Sequence, residues 1–108
     1  MGRERGPVNT YYVYMMASHT KVLYIGVTNN IEGRVQQHKN APASTFTGKY
    51  NVNRLVWYED YADIRSAIAR EKQLKGWRRS KKVALIEAVN LRWVDISHRW
   101  FREGGRPE

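Results

Sequence analysis

The sequence predicts an α+β domain with the element order β-β-α-β-α-α, and three observations carry that expectation. Two short runs rich in β-branched and aromatic residues, "TYYVYMMA" (10–17) and "KVLYIGV" (21–27), flank a polar link and read as a hairpin. After residue 30 the apolar period changes to that of a helix, in "IEGRVQQHKN". A third alternating run, "NVNRLVWYEDY", precedes two further helical stretches. A chain of 108 residues, 42% apolar, suits one compact domain, and no second domain is expected.

Alternation along the first strand puts Tyr12, Tyr14 and Met16 on one face; along the second, Val22, Tyr24 and Gly26 share a face. The two sets of phenols can therefore meet. Gly26 weakens a strand, which marks a bulge or a close approach by another group. Thr28, Asn29 or Asn30 can cap the first helix, whose stripe runs Ile31, Arg34, Val35, His38. Gly33 inside it costs roughly 1 kcal/mol against alanine, and close packing over the hairpin is one reason to keep it. Residues 41–50, "APASTFTGKY", read as a loop. The third strand places Leu55, Trp57 and Glu59 on one face. Asp63 caps a second helix with the stripe Ile64, Ala67, Ile68, Glu71, Leu74. Gly76 can end it, and a third helix with Ser80 as one cap carries Val83, Leu85, Ile86 and Val89. "LRWVDISHRWF" adds a final short element, and the tail "REGGRPE" is expected to be disordered.

The absence of cysteine removes disulfides and zinc-thiolate sites and allows a reducing compartment. No segment is apolar for long enough to cross a bilayer, and "MGRERGPVNT" lacks the apolar stretch of a secretory signal, so a cytoplasmic protein is expected. The formal charge of +9 favours phosphate polyanions, with anionic membrane the weaker partner.

Two helical stripes are anomalous. Arg34 and His38 stand where an amphipathic helix would carry leucines, and Glu71 is a carboxylate on an apolar stripe, costly there unless it is paired or holds a cation. Taken singly, Arg34 and Glu71 make a buried ion pair, His38 bonds a carbonyl and the tyrosines pack. Taken together, Tyr14, Tyr24, Arg34, His38 and Glu71 are the parts needed to activate water, stabilise a pentavalent phosphate and hold a divalent metal.

The paired motifs "YVY" (12–14) and "YIG" (24–26), Arg34 ten residues after Tyr24, His38 four later and the helix bearing "REKQLKGW" resemble the GIY-YIG nuclease superfamily, and more narrowly its small stand-alone bacterial members. The resemblance covers roughly residues 9–95, leaving a flexible N-terminus over 1–8 and a C-terminal extension over 96–108. It implies a three-stranded antiparallel sheet flanked by about three helices. It also implies a DNA endonuclease, of structure-directed repair or recombination type, using Mg²⁺ or Mn²⁺ held by Glu71 and waters. Tyr14 matches the tyrosine usually cast as general base. Tyr24 would position the water or the phosphate, Arg34 would neutralise charge building on the phosphate, and His38 would handle a proton or orient the water. The first motif lacks its Gly and Ile, reading Tyr12 and Val13. The lysine that follows YIG in the excision-repair branch is Val27 here, so its role is lost or passes to Lys49 or Lys39. Asn90 loosely matches a late structural asparagine.

Positive charge is dense from Arg65 to Lys82: Arg70, Lys72, Lys75, Arg78, Arg79, Lys81 and Lys82 lie on or just beyond the helix of Glu71 and could track a phosphate backbone, or form a solvated face. Trp77 among them is either a core plug, the favoured reading, or a stacking platform for bases. His19 and His98 read as surface residues. DNA is the expected partner, RNA remains open, and a protein partner could supply targeting. The alternative to an enzyme is a basic nucleic-acid-binding protein that keeps the fold with little turnover.

Overall fold

The computed structural model describes residues 10–98 and 100. Its elements are β1 (Tyr11–Ala17), β2 (Leu23–Thr28), α1 (Ile31–Lys39), α2 (Phe46–Lys49), β3 (Arg54–Tyr61), α3 (Ile64–Gly76) and α4 (Arg79–Val89). The strands form one antiparallel sheet in the order β2-β1-β3, so β1 is central and β2 and β3 are its edges. The chain is an α+β protein, as the sequence predicts. Residues 1–8 and the "REGGRPE" tail lie outside the described residues.

The hairpin turn closes because Ser18 works from both ends. Its backbone N–H and carbonyl pair with Val22 and Lys21, and its hydroxyl accepts from the Val22 N–H at 2.9 Å. Register then sets Tyr14 opposite Gly26 and Met16 opposite Tyr24. Each strand alternates between two cores, one on each face of the sheet. On one face Val13, Met15, Ala17 and Ile25 meet Ala67 and Leu74 of α3, Ile86 of α4 and Trp93. On the other, Tyr14 and Met16 meet Ile31 and Val35 of α1 together with Val52 and Leu55.

The third strand departs from simple alternation. Met15 pairs with Trp57 but Met16 with Leu55, so Val56 is an extra residue, a β-bulge. Leu55 therefore faces the α1 side while Val56 and Trp57 face α3 and α4. Leu55 and Trp57 do not share a face, because the bulge breaks the period between them. Glu59 does lie on the Trp57 side, where Arg70 of α3 grips it through Nε and Nη2 at 3.0 and 3.2 Å.

Two helices start where the caps predict, whereas α4 begins at Arg79 behind Arg78 with no side-chain cap bond, so Ser80, offered as its cap, lies inside the first turn. Asn30 accepts from the Gly33 N–H and Asp63 from the Ser66 N–H. The Asn30 carboxamide also fills the space that a Cβ on Gly33 would need, so the N-cap itself, rather than the hairpin, accounts for that glycine. On α3 only Ala67 and Leu74 are buried; Ile64 and Ile68, placed on the stripe by the sequence, are exposed. Trp77 packs against the α3–α4 core with the Arg70 and Lys81 cations over its ring, at 5.3 and 4.4 Å. Beyond α4 the buried Asn90 donates to the Val56 and Val94 carbonyls and accepts from the Val94 N–H. Ile96 then bonds the Leu55 carbonyl at 2.7 Å, and Ser97 is fully buried, so the packed fold continues past residue 95.

Candidate active site

Tyr14 sits at the centre of the α1-side core with no solvent exposure, because β1 is covered on both faces. Its ring lies flat across Gly26 of the neighbouring strand: a Cβ there would stand 2.5 Å from the phenol oxygen. That is the close approach which a strand glycine signals. Crossing the glycine on that same face carries the hydroxyl over the edge strand β2 to α1, where it lies 2.8 Å from His38 Nε2. The Tyr24 ring closes the group, with centroids 6.2 Å from Tyr14 and 4.8 Å from His38. Arg34, one turn before His38 on α1, brings its positive charge near the same phenol and lowers its pKa. Tyr14, Tyr24, Arg34 and His38 thus converge from two strands and a helix.

Electrostatics divides the protons within the group. Burial pushes the Tyr14 phenol well above its ordinary value, the neighbouring Tyr24 adds to the rise, and Arg34 opposes it. Burial lowers the pKa of His38, and the adjacent Arg34 charge lowers it further. Near neutral pH the resting site therefore holds a phenol against a neutral imidazole. One nitrogen of that imidazole can accept a proton. The other ring nitrogen, Nδ1, lies 3.2 Å from the hydroxyl of Thr47, which is buried beneath it.

Thr47 belongs to α2, a four-residue helix within the stretch that reads as a loop. Thr45 caps it by accepting from the Gly48 N–H, and Gly48 is packed so tightly on the Ala41 and Pro42 carbonyls that a Cβ would collide with them. The clue in the sequence is Thr45 with Gly48 three residues later, a short capped turn that hydrophobic periodicity does not register.

Glu71 stands apart from this group. The buried residues of α3 pack on the opposite face of the sheet, and the Glu71 carboxylate, 15% exposed, pairs with Lys75 at 2.7 Å. It does not pair with Arg34. The connection back to the phenols runs around the β2 edge, where Lys75 and Lys82 line a depression together with Leu23, Tyr24, Ile25 and Phe46. The other basic residues divide in the same way. Arg70 is taken up by Glu59 and Gln73, and Lys39 by Asp95 and the Asn53 carbonyl. The Asp95 carboxyl is held below its usual value although burial alone would raise it, because Lys39, Ser97 and the Leu55 N–H outweigh that effect. Arg79 reaches the Lys21 carbonyl at 2.8 Å. Lys49, Lys72, Arg78 and Lys81 are exposed, Lys49 over the Tyr50 ring.

Residues 10–84 match the family described as the GIY-YIG catalytic domain. The chain belongs to the GIY-YIG family. That family is one of nucleases, so the fold implies a nucleic-acid substrate. Among similar proteins, the UPF0213 protein CPE1444 of Clostridium perfringens is 32% identical over 75% of this chain and 87% of its own length. A UPF0213 protein of Haloquadratum walsbyi is 31% identical, over 71% of this chain and 86% of that one. The solution NMR structure of a UPF0213 protein from Bacillus halodurans superposes with a TM-score of 0.52 at 23% identity, covering 78% of this chain and 89% of that one, a likeness of fold. Within the GIY-YIG frame the departure at Tyr12 and Val13 is a matter of packing: Val13 fills the α3-side core and Tyr12 meets Tyr58 edge-on at 6.0 Å. No helix among the described residues is long and apolar enough to cross a membrane.

Proposed function

We propose that this GIY-YIG protein is a divalent-metal-dependent endonuclease that hydrolyses DNA phosphodiester bonds. The observation that supports it most directly is the Tyr14 hydroxyl held 2.8 Å from a neutral His38 nitrogen, with Arg34 on the same phenol. A water attacking phosphorus must lose a proton, and Tyr14 is the acceptor. The phenol passes its own proton to His38 Nε2, which is neutral and 2.8 Å away; the raised phenol and lowered imidazole make this step uphill in the resting site, and Arg34 reduces its cost by stabilising the phenolate. Arg34 offsets the charge that grows on the phosphate oxygens. Tyr24 closes the wall of the site and positions the strand.

The donor set fits one hard cation. No group of three or more His, Asp, Glu or Cys gathers among the described residues, but Mg²⁺ commonly binds through one or two carboxylates and keeps waters and substrate phosphate as its other ligands. Glu71 is the residue that would hold it, by giving up Lys75. Bound Mg²⁺ or Mn²⁺ would supply Lewis acidity toward the phosphate.

The test is incubation of labelled duplex, flap, junction and single-stranded DNA, and of single-stranded RNA, with Mg²⁺, Mn²⁺ or EDTA. Metal-dependent cleavage of DNA, abolished in Tyr14→Phe, is the expected result. Binding with no cleavage of any substrate would overturn the reading and leave a basic nucleic-acid-binding protein, the function that the Lys75 grip on Glu71 favours.

A further inference from the structure

Beside the proposed catalytic group lies a groove of about 750 Å³, between α1 and the segment that leads into α2. That is within the roughly 300–1,000 Å³ of ligand pockets. Gln37, His38 and Asn40 line it from α1 and its C-cap, Phe46 and Thr47 line it from α2, and Tyr24 of β2 adjoins them. The Phe46 ring is 48% exposed and forms a row with Tyr24 on one side and Tyr50 on the other, at 6.3 and 5.0 Å. Lys49 stands over Tyr50 at the end of that row. Asn40 donates to the Gln36 carbonyl, and its own carboxamide oxygen carries no intramolecular bond among the described residues.

An exposed aromatic row ending in a cation, with carboxamides facing it across a groove, matches one ligand chemistry. Bases stack on aromatic faces, carboxamides pair with base edges, and a lysine draws the attached phosphate. A base inside a continuous duplex offers none of its faces for stacking. Resting on the nuclease reading above, we propose that this groove receives an unpaired nucleobase adjacent to the scissile phosphate, stacked on Phe46, and that the substrate is DNA with an unpaired segment.

The test avoids turnover. In EDTA, fluorescence anisotropy compares an oligodeoxythymidine, a flap with a thymidine arm and a blunt duplex of equal length. 2-Aminopurine next to the flap junction reports stacking. The expected result is tighter binding of the single strand and the flap than of the duplex, with 2-aminopurine quenched. Phe46→Ala should weaken the first two by on the order of tenfold with little change for the duplex, while Phe46→Tyr retains the preference. Phe46 is outside both cores, so the variants should fold, which a melting curve checks. Equal binding of single strand and duplex by the wild type, or a Phe46→Ala variant with the preference intact, would overturn the base pocket and leave the nuclease reading standing. Failure to bind any of the probes would overturn both.

Discussion

Gly26→Ala tests the centre of the site with one methyl group. The added carbon would stand 2.5, 2.6 and 2.9 Å from the hydroxyl, Cζ and Cε1 of Tyr14. Carbon contacts settle near 3.5–4.0 Å, so the ring must retreat by about 1 Å. The ring is fully buried within the α1-side core, and overpacking of this kind costs about 1–3 kcal/mol. At about 4–8 °C per kcal/mol for a domain of this size, melting should fall by roughly 4–24 °C. The hydroxyl moves with the ring, and a shift of that size from 2.8 Å breaks its hydrogen bond to His38. Circular-dichroism melting measures the first effect, and the imidazole nitrogen chemical shifts of His38 measure the second. Gly76→Ala is the control: nothing lies within 4 Å of its Cβ position, and this substitution should leave melting unchanged or raise it slightly. A Gly26→Ala protein that melts like the wild type with unshifted imidazole signals would refute the reasoning, since Tyr14 would not then be held against the glycine.

Other perturbations separate packing from chemistry. Asn90→Ala leaves the buried Val56 carbonyl without its side-chain donor and should cost about 1–3 kcal/mol, read by denaturant unfolding. His38 is the pH probe: the fold depresses its pKa, so below about 6.5 the unfolded chain takes up the proton first. Its contribution to stability is therefore complete above that value and declines as pH falls toward the folded-state pKa; His38→Gln should remove that part of the slope, and an unchanged profile would show that the imidazole is not buried as described. Glu71→Gln breaks an i, i+4 pair whose lysine is 55% exposed, worth about 0.3–0.5 kcal/mol. It should melt like the wild type and bind DNA while cleavage in Mg²⁺ falls by orders of magnitude, and early melting or wild-type cleavage would remove Glu71 from the metal site.

The parts of the fold that sequence reveals are those where one periodicity acts alone. The hairpin faces are legible because alternation along β1 and β2 runs without interruption, so Tyr14, Tyr24 and Gly26 fall on one side by parity. The face of Trp57 is not, because the bulge at Val56 inserts a residue that no propensity marks and reverses the parity after Leu55. Ile64 and Ile68 read as core by the helical rule, yet α3 buries only Ala67 and Leu74, so its contact with the sheet is narrower than the apolar stripe suggests. Thr47 and its short helix escape because a single capped turn carries no period at all.

Within the candidate site the same physics explains which residues could be placed. Arg34 and His38 look wrong for an amphipathic helix because the face they share with Ile31 and Val35 lies over a sheet surface that is itself polar at Tyr14 and Tyr24. The anomaly on the helix and the excess of phenols on the strands are therefore one feature seen from two sides. Glu71 is different. A helical stripe tells which side of α3 is turned inward, but not which face of the sheet the helix covers, and that is decided by the chain path. After β3, at one edge, α3 packs against β3, β1 and β2 on the face opposite Tyr14, and Lys75 in its last turn lies beside the β2 edge near Tyr24. A carboxylate on that path approaches the phenols around an edge rather than through the core. There it pairs with Lys75, and not with Arg34. Its partner is therefore a lysine 55% exposed in the last turn of its own helix, and not a cation buried between the helix and the sheet.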